Sequence, residues 1–289
     1  MSEGIVSLDR TAQDGIRVRA SAGSGRFRRQ ARLETFLIEA EKAVKALKEM
    51  GENNKDGVDQ RRLFAQKRAN EERVVRVKKA LEDVKKVKET RARSHKNKTK
   101  QKEARCSMTD PEVRIMKMAD GGFRAAYNGQ FSVDVGSGIV VVVDVVNQVD
   151  QGQMIPMLDQ FDRCYPRLPK EHLVDGGFVT NSDMEEASKR NVQIYAPLVE
   201  EDPEKSNLHQ PYKLETLIVK AWQERMNSLQ GKEIYKQRAS SIEWVNALAR
   251  KRGLQQFGVR GKQKAKSALL WFALVHNLWV LNRLRIVII

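Results

Sequence analysis

Three acidic residues stand where this sequence can build phosphate chemistry. Asp175 closes the short strand-like segment HLVD, residues 172–175, and Gly176-Gly177 behind it let the chain turn sharply. Functional groups of an open α/β sheet gather at the carboxyl ends of its strands, which is where Asp175 falls. Asp14 lies beside the first strand signature, with Asp14-Gly15 as a break just before Ile16, Val18 and Ala20 alternate with Arg17 and Arg19. Glu243 sits in segment 235–266, where Ile242, Val245 and Leu248 form an apolar stripe. Glu243 and Arg250 are seven residues apart, about two helical turns, and so share a face. A carboxylate aligned with a guanidinium above a run of Arg and Lys suits a metal ligand beside a phosphate clamp. A plainer reading stays open: turn-forming or surface carboxylates, of which Asp134 and Asp144 are further examples, on an ordinary amphipathic helix.

Other site chemistries find no support. Cys106 and Cys164 have no second Cys or His at ligand spacing, which argues against a disulfide framework and a structural zinc. His95, His172, His209 and His276 are scattered, with no pair three or four apart. The 289 residues carry 53 Lys+Arg against 37 Asp+Glu, a net charge of +16. Such an excess calls for a polyanion, nucleic acid before membrane surface. The opening MSEGIVSLDR lacks a basic stretch followed by an apolar one, so a cytoplasmic protein is expected. The most apolar run, Ala268 to Leu281, falls short of the about 20 residues a spanning helix needs and reads as a core helix.

The elements that must position these residues change character along the chain. After the strand around residues 5–20 and the connector Ser21 to Gly25, Leu33, Leu37, Ala40, Val44 and Leu47 repeat as a heptad seam. GENNKDG, residues 51–57, breaks it, and Val74, Val77, Leu81 and Val84 make a second seam, so an antiparallel helical hairpin is predicted. Residues 85–105 are strongly basic and read as a solvated or polyanion-bound face. Tyr127–Asp134 and Gly138–Val146 form a predicted β-hairpin. Residues 151–164 show helical spacing, Asn181 to Arg190 is a helix capped by Asn181 or Ser182 with Glu185 near its third position, and Val192 to Pro197 is a short strand. Helices dominate after Pro203, strongest over Lys232–Arg252 and Lys264–Leu284. This order describes a mixed α/β layer.

Taken in order, AQDGIRVRASAG, LVDGGFVTNSDME, Tyr235, Arg238, Glu243 and Arg250 resemble the DDE transposases of bacterial insertion sequences, most of all the subgroup with a Tyr-Arg-Glu-Lys signature. TDPEVRIMK (109–117), YNGQFSVD (127–134), GLQQFGVRG (253–261) and ALVHNLWVL (273–281) are similar too, so the resemblance covers nearly the whole chain. It implies an α/β fold with an RNase H-like mixed sheet flanked by helices and a helical hairpin inserted after the first strand. The corresponding division is 1–25 for the first strand of the core, 26–106 for the basic helical insertion, and 107–289 for the rest of the core. The resemblance further implies that Asp14, Asp175 and Glu243 are catalytic and bind two Mg²⁺ or Mn²⁺ ions. Tyr235 and Arg238 would contact the DNA backbone, Arg250 would take the place of the signature's lysine, and Arg260 and Lys262 would extend the phosphate-holding run. The implied activity is cleavage and strand transfer at insertion-sequence ends, with double-stranded DNA and a second protomer as partners, in a bacterial cytoplasm near the nucleoid. The alternative is a remnant that binds DNA or oligomerises without cutting.

Three departures stand out. Four residues separate Arg238 from Glu243 where the signature often has three, and Arg replaces Lys at 250, which changes the geometry of a phosphate contact. Only 13 residues precede Asp14, where the family normally carries a helical DNA-binding region, so the chain is expected to be the C-terminal part of a transposase.

Overall fold

The structure, a computed structural model, describes residues 4–53, 57–94, 104–198 and 217–288. It divides into two compact units, the first made of Met1–Val18, Asn128–Gln256 and Ala265–Ile289, the second of Arg19–Tyr127 and Phe257–Lys264.

The first unit is built on a sheet whose central strand is β1, Arg10–Arg19. Ala12, Ile16 and Val18 are buried on one of its faces and Thr11 and Gln13 on the other, so both faces are covered. Asp14-Gly15 therefore lies inside a strand rather than at a break before one; Gly15 keeps extended pairing while giving up its side chain. Beside β1 runs β5, Phe123–Asp134, which pairs antiparallel with β6, Val140–Val146, from Asn128↔Val146 to Val133↔Val140. The Val135 N–H donates to the Arg10 carbonyl and the Ala20 N–H to the Ala125 carbonyl, so β5 and β1 are antiparallel as well. On the other side β1 pairs in parallel with β7, Glu171–Leu173, and β7 with β8, Gln193–Tyr195. The spatial order is β6-β5-β1-β7-β8.

One face of this sheet is sealed by α3, Met154–Cys164, and α4, Asn181–Lys189. Met154, Met157, Leu158 and Phe161 of α3 join Phe178, Met184 and Ile194 in one buried cluster. Each large apolar side chain so buried contributes about 1.5–3 kcal/mol. The cap of α4 is Thr180 rather than Asn181 or Ser182, and its third residue is Asp183 rather than Glu185, because the Thr180 hydroxyl accepts from the Asp183 N–H while the Asp183 carboxylate takes the Thr180 N–H. The remaining helices are α5 (Leu217–Asn227), α6 (Leu229–Arg238), α7 (Trp244–Lys251) and α8 (Lys262–Ile288), with a π-helical turn over Ala239–Glu243 joining α6 to α7. The helix predicted without interruption over Lys232–Arg252 is thus divided by that turn. A Cβ on Gly129 would lie 2.6 Å from Leu269, so the missing side chain lets α8 rest on β5. Asn277 of α8 accepts from the Val140 N–H and donates to the Val140 carbonyl, satisfying backbone groups of β6.

The second unit holds α1, Gln30–Asn53, and α2, Gly57–Ser94. Leu33 of α1 and Val77, Ala80 and Val84 of α2 are buried together with Cys106, and Glu39 and Glu41 pair with Arg73 and Lys78 across the two helices. The seams at Leu33–Leu47 and Val74–Val84 therefore fall on the helices predicted for them. Two short strands escaped the sequence reading, β2 (Phe27–Arg29) and β3 (Arg105–Ser107), which pair antiparallel and close the base of the helices. A further strand, β4 (Arg114–Lys117), pairs with the first residues of β5. Of the basic stretch 85–105, residues 95–103 lie outside the described residues.

Candidate active site

Asp14 points from the middle of β1 toward the helix formed by α6, the π-turn and α7. One of its carboxylate oxygens accepts from Arg238 Nη2 at 2.9 Å and the other from Asn246 Nδ2 at 2.9 Å. Arg238 reaches Glu243 with Nη1, at 2.5 Å, so a single guanidinium is held between two acids 229 residues apart in the chain. Its side chain is only 9% exposed, against 51% for that of Glu243. The grip is charge-assisted at both ends, the strongest ordinary form of hydrogen bond.

The π-turn explains how Arg238 and Glu243 meet. Five residues along an α-helix advance about 500°, which leaves two side chains roughly 140° apart on the helix surface. The five-residue turn Ala239–Glu243 is wound with i→i+5 hydrogen bonds, and that wider winding brings the fifth residue back beneath the first. Ser241 and Ile242 are buried by the turn. The additional residue between Arg238 and Glu243 is therefore absorbed locally and leaves the pair on one face.

Asp175 follows β7, which runs parallel to β1. Arg10 pairs with Glu171 and Ala12 with Leu173, an offset of 161 residues, and 175 − 14 is also 161. Asp175 lies two residues beyond the end of β7, and the pairing of β7 with β1 ends at Ala12↔Leu173. The Asp175 carboxylate is exposed and accepts the Gly176 N–H at 2.8 Å, capping the short turn Gly176–Phe178.

Electrostatics tie the group together. Burial raises the Asp14 carboxyl above the usual carboxylate range, against the opposing pull of Arg238, the Gly15 N–H and the Asn246 amide, while Asp150 adds to the rise. Burial likewise raises the Tyr235 phenol; Arg238 opposes this, and Asp175, Glu243 and Asp14 all add to it. Tyr235 thus senses the three carboxylates and the arginine at once.

Arg250 is exposed near the end of α7, about two turns along the same helix face from Glu243. Arg260 and Lys262 belong to the second unit, where the Arg260 Nε donates to the Ser21 carbonyl and the Lys262 N–H to the Glu112 carboxylate. Their side chains are exposed. Asp134 is accounted for differently: its carboxylate accepts from the Leu8 and Ser137 N–H groups and the Ser137 hydroxyl, so it is the turn-former that its position suggested.

Asn246 was missed in the sequence. It is buried, holds Asp14, and leaves its own Oδ1 without a partner. The signal was present, since Asn246 is three residues beyond Glu243 and so on the same face of α7. Among the described residues no three His, Cys, Asp or Glu side chains stand close enough to hold a metal ion as arranged. Arg238 occupies the space between two of the candidates.

A strand-borne acid thus faces a helix-borne acid with one arginine between them. Residues 204–282, a span containing Tyr235, Arg238, Glu243, Asn246 and Arg250, match the family of the transposase DDE domain. The match covers 79 of the 289 residues, just over a quarter of the chain, and makes that segment similar to a transposase DDE domain. No curated protein matches the chain.

Proposed function

We propose that the chain is a metal-dependent DDE transposase that cleaves DNA at insertion-sequence ends and transfers the strand, with Asp14, Asp175 and Glu243 as its catalytic acids and metal ligands. The observation that carries the reading is the Arg238 guanidinium clasped by Asp14 and Glu243. Two acids 229 residues apart in the chain converge on one cation, the Arg238 guanidinium. The donor set fits Mg²⁺ or Mn²⁺, since hard cations take carboxylate oxygens. The central position of Asp14, between an antiparallel strand pair and a parallel one, supports an RNase H-like core. In this reading α1 and α2 are the hairpin inserted after the first strand.

Two divalent ions, when bound, polarise the scissile phosphate and activate the attacking hydroxyl. The protein's own part is positional. Asn246 fixes the orientation of Asp14, Arg238 balances the charge of Asp14 and Glu243, and the phenol of Tyr235 and the guanidinium of Arg250 line the approach of the phosphate backbone. The +16 charge draws double-stranded DNA to the surface. The test is Mn²⁺-dependent nicking of DNA bearing the element's terminal inverted repeats by wild-type, Asp14→Asn, Asp175→Asn and Glu243→Gln protein. Each variant should lose nicking and keep DNA binding; nicking that survives any of the three removes that residue from the site.

A further inference from the structure

Asn246 carries one polar atom that the fold does not use. The residue is 3% exposed and lies on α7, three positions beyond Glu243. Its Nδ2 donates to Asp14 Oδ2 at 2.9 Å, and among the described residues its Oδ1 has no hydrogen-bond partner. The neighbour dictates which way the amide faces. An ionised carboxylate only accepts, so the nitrogen turns to Asp14 and the oxygen is the atom left over. Buried acceptors are nearly always satisfied, and an exception calls for a donor or a cation. The other buried side-chain oxygens without a partner among the described residues are Asp83 Oδ2, Asn128 Oδ1 and Ser132 Oγ. Asn246 alone of these four residues is bonded to one of the proposed catalytic acids.

We infer that the Asn246 carboxamide oxygen is a further ligand of a divalent cation, beside Asp14 and Glu243. The inference rests on the metal-dependent reading of those acids and adds a residue outside their number. Amide carbonyl oxygens, like carboxylates, suit Mg²⁺ and Mn²⁺. Three residues along a helix turn about 60° round its surface and rise about 4.5 Å, so Asn246 and Glu243 are neighbours on one face. The Nδ2 bond to Asp14 then presents the amide oxygen together with that carboxylate. Charge also favours a neutral donor here. Asp14 and Glu243 each give one oxygen to Arg238, and an amide enlarges the ligand set without adding a third negative charge beside them. An oxygen already shielded from solvent has little hydration to lose when a cation reaches it.

The experiment is titration of the full chain without DNA, with Mn²⁺ followed by electron paramagnetic resonance and with Cd²⁺ followed by ultraviolet absorption. A Cys164→Ser background keeps the exposed Cys164 from taking Cd²⁺ itself. Asn246→Ala should weaken Mn²⁺ binding about ten-fold or more. Asn246→Cys, compared with Asn246→Ser, should shift the ratio of Cd²⁺ to Mn²⁺ affinity toward Cd²⁺ by about a hundred-fold and show thiolate-to-cadmium charge-transfer absorption. A soft sulfur changes metal preference only where it touches the metal, and the two variants are close in size, so any loss of packing is shared. A residue that only orients Asp14 would lower Mn²⁺ affinity and leave that ratio where it was. An unchanged ratio, or Mn²⁺ affinity indifferent to Asn246→Ala because the oxygen holds only a water, overturns the inference. Asp14→Asn separates the two readings. Loss of Mn²⁺ binding there without the cadmium shift keeps the acids and removes Asn246, whereas Mn²⁺ binding that is absent from the parent chain or ignores Asp14→Asn removes both.

Discussion

Replacing Arg238 by Ala should expose the electrostatic debt carried by Asp14 and Glu243. Breaking a buried ion pair by removing one partner costs about 3–5 kcal/mol, because the remaining charge is left uncompensated. Here the Asp14 side chain is 23% exposed and that of Glu243 51%, so water screens part of the loss and about 2–3 kcal/mol is expected at neutral pH. The pH dependence has a definite sign. Burial already raises the Asp14 carboxyl and Arg238 pulls against it, so removing Arg238 raises the carboxyl further. Stability linked to a raised carboxyl is fully present below its unfolded value and is lost as pH climbs through the folded value. The deficit of the variant should therefore be small near pH 4 and largest near pH 7. Saturating Mn²⁺ at pH 7 should restore the variant more than it stabilises the wild type, since the cation replaces the missing charge. Urea unfolding followed by tryptophan fluorescence measures all three. A deficit under about 1 kcal/mol at pH 7, or one equal at both pH values, refutes the account of Arg238 as the counter-charge of these acids.

Three further outcomes follow from particular residues. His172 is fully buried between Thr11 and Gln13, and burial pushes its imidazole down to about 3, so its contribution to stability is complete above pH 6.5 and is lost as pH falls toward 3. Unfolding measured from pH 7 to 4 should show a loss of about 3–5 kcal/mol that His172→Gln flattens. A Cβ at Gly15 would run into the Asp150 carboxylate and lie within 2.7 Å of Asn128 Oδ1 and 2.8 Å of Gln130 Nε2; Gly15→Ala should cost about 1–3 kcal/mol by denaturant midpoint, less in an Asp150→Ala background. DNA affinity should fall with salt by about 0.9 in log K per log unit for each phosphate contacted, and Arg250→Ala should slow nicking at least ten-fold while changing binding less than two-fold, because one contact among many adds little affinity whereas a misplaced phosphate slows the chemistry.

Much of the frame was legible because its signals are local. The heptad seams of α1 and α2, the valine-rich β6 and the methionine spacing of α3 each state their own period, and each element is present. The strands β2, β3 and β4 were not legible, since three or four residues such as Phe27–Arg29 carry no alternation of their own and are strands only through their partners. Asp14-Gly15 read as a break for a related reason. Glycine is a poor strand former in isolation, and only the side chains of Asp150, Asn128 and Gln130 crowding that position show why the strand needs it.

The site was legible as a list of residues and not as a geometry. Asp14, Glu243 and Arg238 could be named one by one, but the spacing of Arg238 and Glu243 argued against their meeting on a regular helix. The π-turn resolves this by a device that sequence does not announce. Inserting one residue into an α-helix rotates everything beyond it by about 100°. A helix packed on both flanks cannot tolerate that rotation, because Ile234 before the turn and Val245 and Ala249 beyond it are all buried. Confining the extra residue to one wide turn keeps both buried stripes in place and costs a few strained hydrogen bonds. It also leaves Glu243 as the last residue of the wide turn, half exposed, with Arg238 drawn inward beneath it. The same local accommodation that preserves the core thus puts Arg238 within reach of Asp14, and the departure from the signature's spacing becomes the reason that one arginine meets both acids.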